Sequence, residues 1–168
     1  IVKSLFKDKA FSQSVHLTAV NSINWARIMI QIIYYFSAIS QNPEYKKNPD
    51  IIVPTGNFGD IYAGYIAKKM GLEMGKLVIA TSVNNILERC LNTGRYNILE
   101  AIQTNSPSMD IQISSNFERL LYDLVNQDIK RLSQMMDELV TRGEFSLNEG
   151  ELLNLNTTFE AVSIEQME

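Results

Sequence analysis

The spacing of hydrophobic residues along this chain predicts alternating strands and helices in its first hundred residues. Short, largely apolar runs predict buried strands at residues 15–20, 51–53 and 77–80. Between and after these runs, apolar residues recur every three or four positions, the spacing of a helix that packs on a core. Three strand–helix units in succession indicate an α/β fold with three layers, in which a mostly parallel sheet is flanked by helices.

A long helix is predicted from residue 25 to about residue 40. Its apolar residues lie on nearly all sides, so we expect this helix to be buried. The exceptions are Asn24, Arg27 and Gln31, which form one polar seam that begins at the helix N-terminus. Because a buried guanidinium needs an anionic partner, Arg27 predicts either a carboxylate elsewhere in the core or a bound anionic ligand.

The sequence IIVPTGNFGDIYAGYIAKKMG at residues 51–71 predicts a strand, a tight turn and a second helix that ends at Gly71. Such a turn presents free N–H groups, and the positive end of the helix dipole, to an anion just beyond the strand. Gly56 and Gly59 allow the backbone to approach a phosphate closely. An ordinary strand–helix turn without a ligand is the alternative interpretation.

Polar residues follow each of the three predicted strands, at residues 21–24, 55–60 and 81–85. Ligands of parallel sheets bind outside the carboxyl ends of the strands, so we expect these three segments to converge on one crevice. At the third segment, Asn84 or Asn85 is expected to cap the helix that follows.

Beyond residue 97 the pattern becomes largely helical. A polar segment without periodicity occupies residues 101–113. One helix is then predicted to start at Ser115 or Asn116, and a second to occupy residues 128–142 before Gly143.

The last part of the chain has weaker signals. Residues 145–155 predict a short hairpin-like or helical segment. Residues 159–168 predict the start of a further element. We therefore expect two domains: a parallel α/β core at residues 1–96, and a loop and helical extension at residues 97–168 that is incomplete at its C-terminus.

Composition and charge argue against several classes of function. The 15 basic and 19 acidic residues nearly balance, so neither a nucleic-acid partner nor a membrane surface is expected. The longest apolar segment is too short to cross a membrane, no signal peptide is recognised, and no metal site is predicted. The chain starts at Ile1, and the apolar spacing of a helix is already present there. We therefore interpret the chain as a piece of a longer protein.

The chain has a single cysteine, Cys90, and a single histidine, His16. One cysteine cannot form an internal disulfide and fits a reducing compartment, so a cytoplasmic protein is expected. We interpret Cys90 as a small buried residue rather than a nucleophile. His16 is interpreted as a core or edge residue, because no second titratable group stands near it in sequence.

Four segments, in order, resemble the threonine synthase family of pyridoxal-phosphate enzymes. They are AVNSINWARIMIQIIYYF from residue 19, PTGNFGDIYAGYIAKKMGL from residue 54, ATSVNNILERCLNTGRY from residue 80, and SPSMDIQISSNFERLLYDL from residue 106. The resemblance covers most of the chain and implies fold type II of these enzymes. It also implies the conversion of O-phosphohomoserine and water to threonine and phosphate, with pyridoxal 5′-phosphate as the cofactor.

The resemblance implies roles for two groups of residues. The turn would bind the cofactor phosphate, and the segment before the long helix would bind the anionic substrate. The cofactor-binding residues are Gly56, Asn57, Phe58, Gly59 and Asp60, and the substrate-binding residues are Asn21, Ser22, Asn24 and Arg27. One departure lies at Ser82-Val83-Asn84-Asn85, where the family usually has a second asparagine and an aspartate.

No catalytic residue is assigned to this chain. In the family, the lysine that forms a Schiff base with the cofactor lies upstream of the segments matched here. A lysine in that role needs a desolvated site that lowers its pKa, and the nine lysines present all fall on predicted polar faces or loops. We therefore expect the chain by itself to be inactive.

Two other functions remain open from the sequence. One is a different fold type II enzyme, such as a dehydratase or a β-replacement synthase, which shares the phosphate turn but acts on another substrate. The other is a non-catalytic module that retains the phosphate turn. The Asn-Ser-Ile-Asn…Arg pattern at residues 21–27 favours the threonine synthase family over the first alternative, because it does not belong to the shared turn. The absence of a suitable lysine favours the second alternative, and the sequence upstream of Ile1 would decide between that module and the enzyme.

Overall fold

The structure, a computed structural model, describes residues 8–15, 21–42 and 48–163. Five strands are present in this part of the chain: β1 Ile51–Pro54, β2 Leu77–Thr81, β3 Arg95–Asn97, β4 Glu144–Ser146 and β5 Phe159–Ser163. The α-helices of the same part are α1 Lys9–Ser14, α2 Trp25–Gln41, α3 Gly59–Lys69, α4 Ile86–Thr93, α5 Phe117–Leu124, α6 Ile129–Arg142 and α7 Glu149–Thr158. A 3₁₀ turn occupies Pro107–Met109.

The main sheet is parallel and has the strand order β1-β2-β5. All five residues of the central strand β2 are buried, as expected for a parallel strand with helices on both faces. The third strand, β5, comes from the C-terminal part of the chain, so both of the expected domains contribute to this sheet. The mostly parallel sheet flanked by helices is confirmed, and the division at residue 96 stays a prediction.

A row of aromatic rings joins the sheet to the C-terminal helices. Phe58, in the turn after β1, packs against Phe117 of α5, with ring centroids 5.2 Å apart. Phe117 stacks on Tyr96 at 5.3 Å, and Tyr96 stacks on Phe145 at 5.0 Å. Such pairs stabilise a core beyond the area that they bury. The turn after β1 is thereby fastened to the small antiparallel pair β3–β4.

Most helix ends lie where the sequence predicts them. Asp128 caps α6 by accepting the N–H groups of Lys130 and Arg131, and Gly143 ends this helix with φ +75°. The expected side-chain cap on α4 is wrong. Asn85 precedes that helix but accepts none of its N–H groups, because its side chain bonds the Glu88 carboxylate and the Arg89 guanidinium instead.

The expected burial of the long helix is also wrong. Only Ile28 and Tyr35 of α2 are buried, whereas one face of the helix is exposed. That face carries Trp25, Met29, Ile30, Ile33 and Tyr34, each between 43% and 61% exposed. The periodic pattern shows that many sides of α2 are apolar, but it does not show which of them this chain covers.

Residues 145–155 form no hairpin. Phe145 belongs to β4, which pairs antiparallel with the distant strand β3, and α7 occupies most of the remainder. At the other end of the chain, the first described helix, α1, continues to Ser14. His16 and most of the strand predicted at residues 15–20 lie outside the described residues. Among the helices that are described, none is long and apolar enough to cross a membrane.

Candidate functional site

The turn between β1 and α3, residues 55–61, is called the cradle turn below. Its first residue, Thr55, donates its N–H to the Ala80 carbonyl of β2 at 2.9 Å, so the turn leaves the sheet at a fixed point. Phe58 has a left-handed backbone with φ +63°, which is uncommon for a residue with a side chain. Its ring is buried against Phe117 and Phe159, and this packing holds the strained conformation in place.

The backbone N–H groups of the cradle turn are open. Among the residues that the structure describes, no side chain caps the start of α3. In the described part of the chain, the N–H groups of residues 56–61 donate to no acceptor. A helix normally leaves its first N–H groups to be satisfied by caps, by water or by a ligand. Six open donors at the positive end of a helix dipole form a binding site for an anion.

A cavity of about 160 Å³ lies against these donors. It is lined by the cradle turn, by Pro54, by Ser22 in the segment before α2, and by Arg27 and Gln31 of α2. The structure thus brings the turn and the polar seam of the long helix to one place. Residues 81–85, which were expected at the same crevice, do not line this cavity.

Arg27 lines the cavity and has no ion-pair partner among the described residues. Among the described residues, no carboxylate lies within 4.0 Å of its guanidinium. Of the two interpretations left open by the sequence, a carboxylate partner in the core therefore finds no support in the described part of the chain. An exposed guanidinium beside open N–H groups makes the cavity strongly attractive to anions.

Gln31 was recognised as part of the polar seam but was not predicted as a site residue. It lies one helical turn beyond Arg27, so the i, i+4 spacing placed both side chains on the same face. The signal was therefore present in the sequence.

Asn21 and Asn24 do not contribute to the cavity wall, whereas Ser22 and Arg27 do. The Asn21 side chain accepts the N–H of Ile23 at 3.0 Å, and the Asn24 side chain accepts the N–H of Ala26 at 2.9 Å. These bonds form a local turn and a helix cap. Neither asparagine lines the cavity. Both shape residues 21–24, which we call the α2 entry loop.

Asp60 lies at the second position of α3 and lines the cavity. The Tyr35 hydroxyl lies 3.2 Å from its carboxylate and 3.0 Å from its carbonyl oxygen. Burial raises the pKa of Asp60, although the Tyr35 hydrogen bond acts in the opposite direction. Because a carboxylate repels an anion, the backbone N–H of Asp60 is the part suited to hold a phosphate.

The shape of the turn suits a bound phosphate. A Cβ atom on Gly59 would lie 3.3 Å from Asn116 Nδ2, and one on Gly56 would lie 3.3 Å from Met109 Sδ. Side chains at these positions would push the backbone away from its neighbours. The two glycines, together with the open N–H groups, fit the phosphate of pyridoxal phosphate.

Two residues behind the cradle turn were missed by sequence reasoning. Ser114 donates its hydroxyl to the Gly56 carbonyl at 2.6 Å. Asn116 donates its side-chain amide to the Asn57 carbonyl at 3.0 Å and to the Ser22 carbonyl at 2.8 Å. These contacts join segments that are far apart in the chain, so no local pattern could have indicated them.

No described lysine lines the cavity. Burial lowers the pKa of Lys68, but its ammonium group bonds the Gly75 carbonyl at the opposite end of α3. Cys90 is fully buried, and burial raises the pKa of its thiol to about 12. It is a core residue and a poor nucleophile, as the sequence predicted.

Comparison with known proteins identifies several relatives. Threonine synthase from Saccharomyces cerevisiae is 46% identical over 180 residues, which cover 99% of this chain and 35% of the yeast protein. Threonine synthase from Pseudomonas aeruginosa is 43% identical over 164 residues, 98% of this chain and 35% of that protein. This chain therefore spans about a third of the length of these curated relatives. No protein-family model matches it.

The fold also matches a solved structure of a threonine synthase. The crystal structure of a PLP-bound threonine synthase from Brucella melitensis superposes with a TM-score of 0.87 and 47% sequence identity. The superposition covers 96% of this chain and 35% of that structure. At this level of identity, both the sequence and the fold point to the same family.

Proposed function

The chain belongs to the threonine synthase family, and from this premise we propose that it forms the phosphate-binding part of such an enzyme. The reaction proposed for the whole protein is the conversion of O-phosphohomoserine and water to threonine and phosphate. Pyridoxal 5′-phosphate supplies, when bound, the electron sink for the carbanions of the reaction. The single observation that carries this proposal is the set of six open N–H groups beside Arg27 in one cavity.

The cradle turn holds the phosphate of the cofactor. The backbone N–H groups of Gly56, Asn57, Phe58, Gly59 and Asp60 are its donors in this proposal. They are fixed before binding by the aromatic packing of Phe58 and by the bonds from Ser114 and Asn116. Little reorganisation is then required when the dianion arrives, which is the condition for strong electrostatic binding.

The α2 entry loop and the first turns of α2 hold the phosphate of the substrate. Arg27 supplies a planar fork of donors that suits a phosphate, and Ser22 and Gln31 add a hydroxyl and an amide on the same wall. Asn21 and Asn24 contribute by shaping the loop through their bonds to backbone N–H groups. The protein thus orients two anionic groups in one cavity.

The test uses the full-length protein that contains this chain. It is loaded with pyridoxal phosphate and assayed for threonine and phosphate formation from O-phosphohomoserine. We expect Arg27→Met to raise KM about 10- to 100-fold, since a charged hydrogen bond contributes about 1.5–3 kcal/mol. Cofactor content and melting temperature should stay unchanged, because no described carboxylate depends on Arg27.

Arg142→Met is the matched control, because Arg142 is an exposed arginine in the last turn of α6. It should leave KM unaltered. A protein that binds the cofactor but forms no threonine would contradict the proposed reaction. A large fall in melting temperature with unaltered KM in Arg27→Met would show that Arg27 has a structural role.

We also propose a cytoplasmic location and a small-molecule substrate, with no nucleic-acid or membrane partner. The location is supported by Cys90, a free thiol buried in the core, which suits a reducing compartment. The nearly balanced charge supports the absence of a nucleic-acid partner.

A further inference from the structure

Asn116 is a fully buried amide that contacts both halves of the candidate site. Its Nδ2 lies 2.8 Å from the Ser22 carbonyl in the α2 entry loop and 3.0 Å from the Asn57 carbonyl in the cradle turn. Asn116 also directs its backbone N–H to the Asn57 carbonyl at 3.0 Å. It stands at the start of α5, yet its side chain caps no N–H of that helix. The side-chain amide nitrogen therefore bonds the two site segments, and the side chain caps no backbone N–H of its own helix.

These contacts orient the donors of the cradle turn. In a planar trans peptide, the carbonyl of one residue and the N–H of the next point in opposite directions. Ser114 holds the Gly56 carbonyl and Asn116 holds the Asn57 carbonyl. The N–H groups of Asn57 and Phe58 must then point away from this side of the turn. Both belong to the set of open donors described above.

Arg119 explains why an amide is needed at this position. Its Nε donates to Asn116 Oδ1 at 3.2 Å, and its Nη2 donates to the Ile23 carbonyl at 2.8 Å. Asn116 therefore accepts one hydrogen bond on its oxygen while its nitrogen donates to two carbonyls. Aspartate, of nearly the same shape, has no donor in its ionised form and cannot replace these bonds.

We infer that Asn116 is a positioning residue that fixes the α2 entry loop relative to the cradle turn. This inference rests on the proposed function, in which one segment holds the substrate phosphate and the other the cofactor phosphate. Removal of the amide should therefore weaken the binding of both anions, although Asn116 contacts neither. A buried asparagine with a merely structural role would lower stability alone.

Asn84 provides the matched control. It is also a buried amide, 6% exposed. It bonds the backbone of Ile102 and the carboxylate of Asp110, and it does not line the cavity. Asn116→Ala and Asn84→Ala thus remove similar side chains from similar depths, and only the first touches the site segments.

The experiment compares these variants in the full-length protein. The Kd of pyridoxal phosphate is measured by absorbance titration of the apo protein, and KM is measured for O-phosphohomoserine. We expect Asn116→Ala to raise both values at least about tenfold, and Asn84→Ala to change neither by more than about twofold. In the apo protein, hydrogen exchange at residues 21–24 and 55–61 should be faster in Asn116→Ala than in Asn84→Ala.

Unchanged Kd, KM and exchange in a destabilised Asn116→Ala protein would overturn the inference. If that variant does not fold, Ser114→Ala replaces it, because the Ser114 hydroxyl donates to the Gly56 carbonyl of the cradle turn and not to the α2 entry loop. Ser114→Ala should raise the Kd of pyridoxal phosphate and leave KM unchanged. An unaltered Kd would contradict the premise that bonds to the carbonyls of the cradle turn orient its donors, on which the role of Asn116 depends. A wild-type protein without turnover would refute the proposed function, whereas the exchange comparison in the apo protein would still decide the role of Asn116.

Discussion

Two strand-to-helix turns in this chain begin their helices in opposite ways. At the start of α7, the Asn148 side chain accepts the N–H of Glu151 at 2.9 Å, and the Glu151 carboxylate accepts the N–H of Asn148 at 2.8 Å. This reciprocal pair is a capping box. At the start of α3, Phe58 occupies the capping position, and no described side chain accepts an N–H from the first turn of the helix.

The difference shows what each turn contributes to the molecule. The capped helix satisfies its own donors, and the Arg131 guanidinium also binds the Glu151 carboxylate from α6. That turn is complete without a ligand. The cradle turn is held firmly from behind by Phe58, Ser114 and Asn116, while its donors remain open toward the cavity. A fixed backbone with unfilled hydrogen bonds is what a binding site for an anion requires.

The largest expected effect is a loss of cofactor affinity when a side chain is added to the cradle turn. In the full-length protein, Gly59→Val places branched carbon atoms against Asn116 Nδ2 and displaces the cradle turn. If two charge-assisted bonds are lost, the affinity for pyridoxal phosphate falls by on the order of 100-fold or more. The measurement is the cofactor absorbance retained after desalting.

Gly150→Val is the counterpart at the capped turn. Gly150 is exposed in the first turn of α7, and its nearest neighbour to an added Cβ would be Asn148 Oδ1 at 3.4 Å. This variant should retain the wild-type amount of cofactor. Equal retention by Gly59→Val would contradict the assignment of the cradle turn.

A smaller effect is expected from opening the capped turn. Asn148→Ala removes the acceptor for the Glu151 N–H, and the loss of such a cap lowers the free energy of unfolding by about 1 kcal/mol. Urea denaturation of the full-length protein measures this change. The Kd of pyridoxal phosphate should remain at its wild-type value, and a weaker affinity would show that the two turns do not act independently.

The smallest expected effect is on the stability of the protein at acidic pH. Burial raises the pKa of Glu151, but the hydrogen bonds from Arg131 and from the Asn148 N–H outweigh it and hold the pKa below its ordinary value of 4.5. A depressed pKa means that the unfolded chain binds more protons in this range. The stabilising contribution is therefore present above pH 4.5 and is lost as the pH falls through the folded pKa.

Glu151→Gln should therefore be less stable than wild type near neutral pH, and this difference should shrink below about pH 4.5. Melting temperatures measured across this range test the expectation. Glu144→Gln serves as the control, because Glu144 pairs with Arg95 at 2.8 Å on an exposed surface, where ion pairs contribute little. A constant difference between Glu151→Gln and wild type at every pH would contradict the role of the Arg131 pair.

Local sequence patterns predicted much of the fold. Strands β1 and β2 and helices α2, α3, α5 and α6 follow from apolar periodicity, with capping residues and glycines at their ends. The pairing of β3 with β4 was missed, because strands of three residues carry no periodic signal. The exposed face of α2 was misjudged, because the surface that covers a helix is not a local property of its sequence.

The same limit applies to the site. The cradle turn and Arg27 could be found because glycine spacing and a lone arginine on an apolar helix are visible in a short window. Asn116 reads in sequence only as the first residue of a helix. Its role depends on bonds to Ser22 and Asn57, and such distant contacts become visible only in three dimensions.

The order of strands in the main sheet has a consequence for how the chain is made. Leu77 of β2 pairs with Phe159 of β5, so the ribosome must add about 80 more residues before the central strand meets its second neighbour. During that interval one edge of β2 is unpaired. Chaperones that shield strand edges would act in this interval, and codon changes that slow translation after residue 81 should lengthen it.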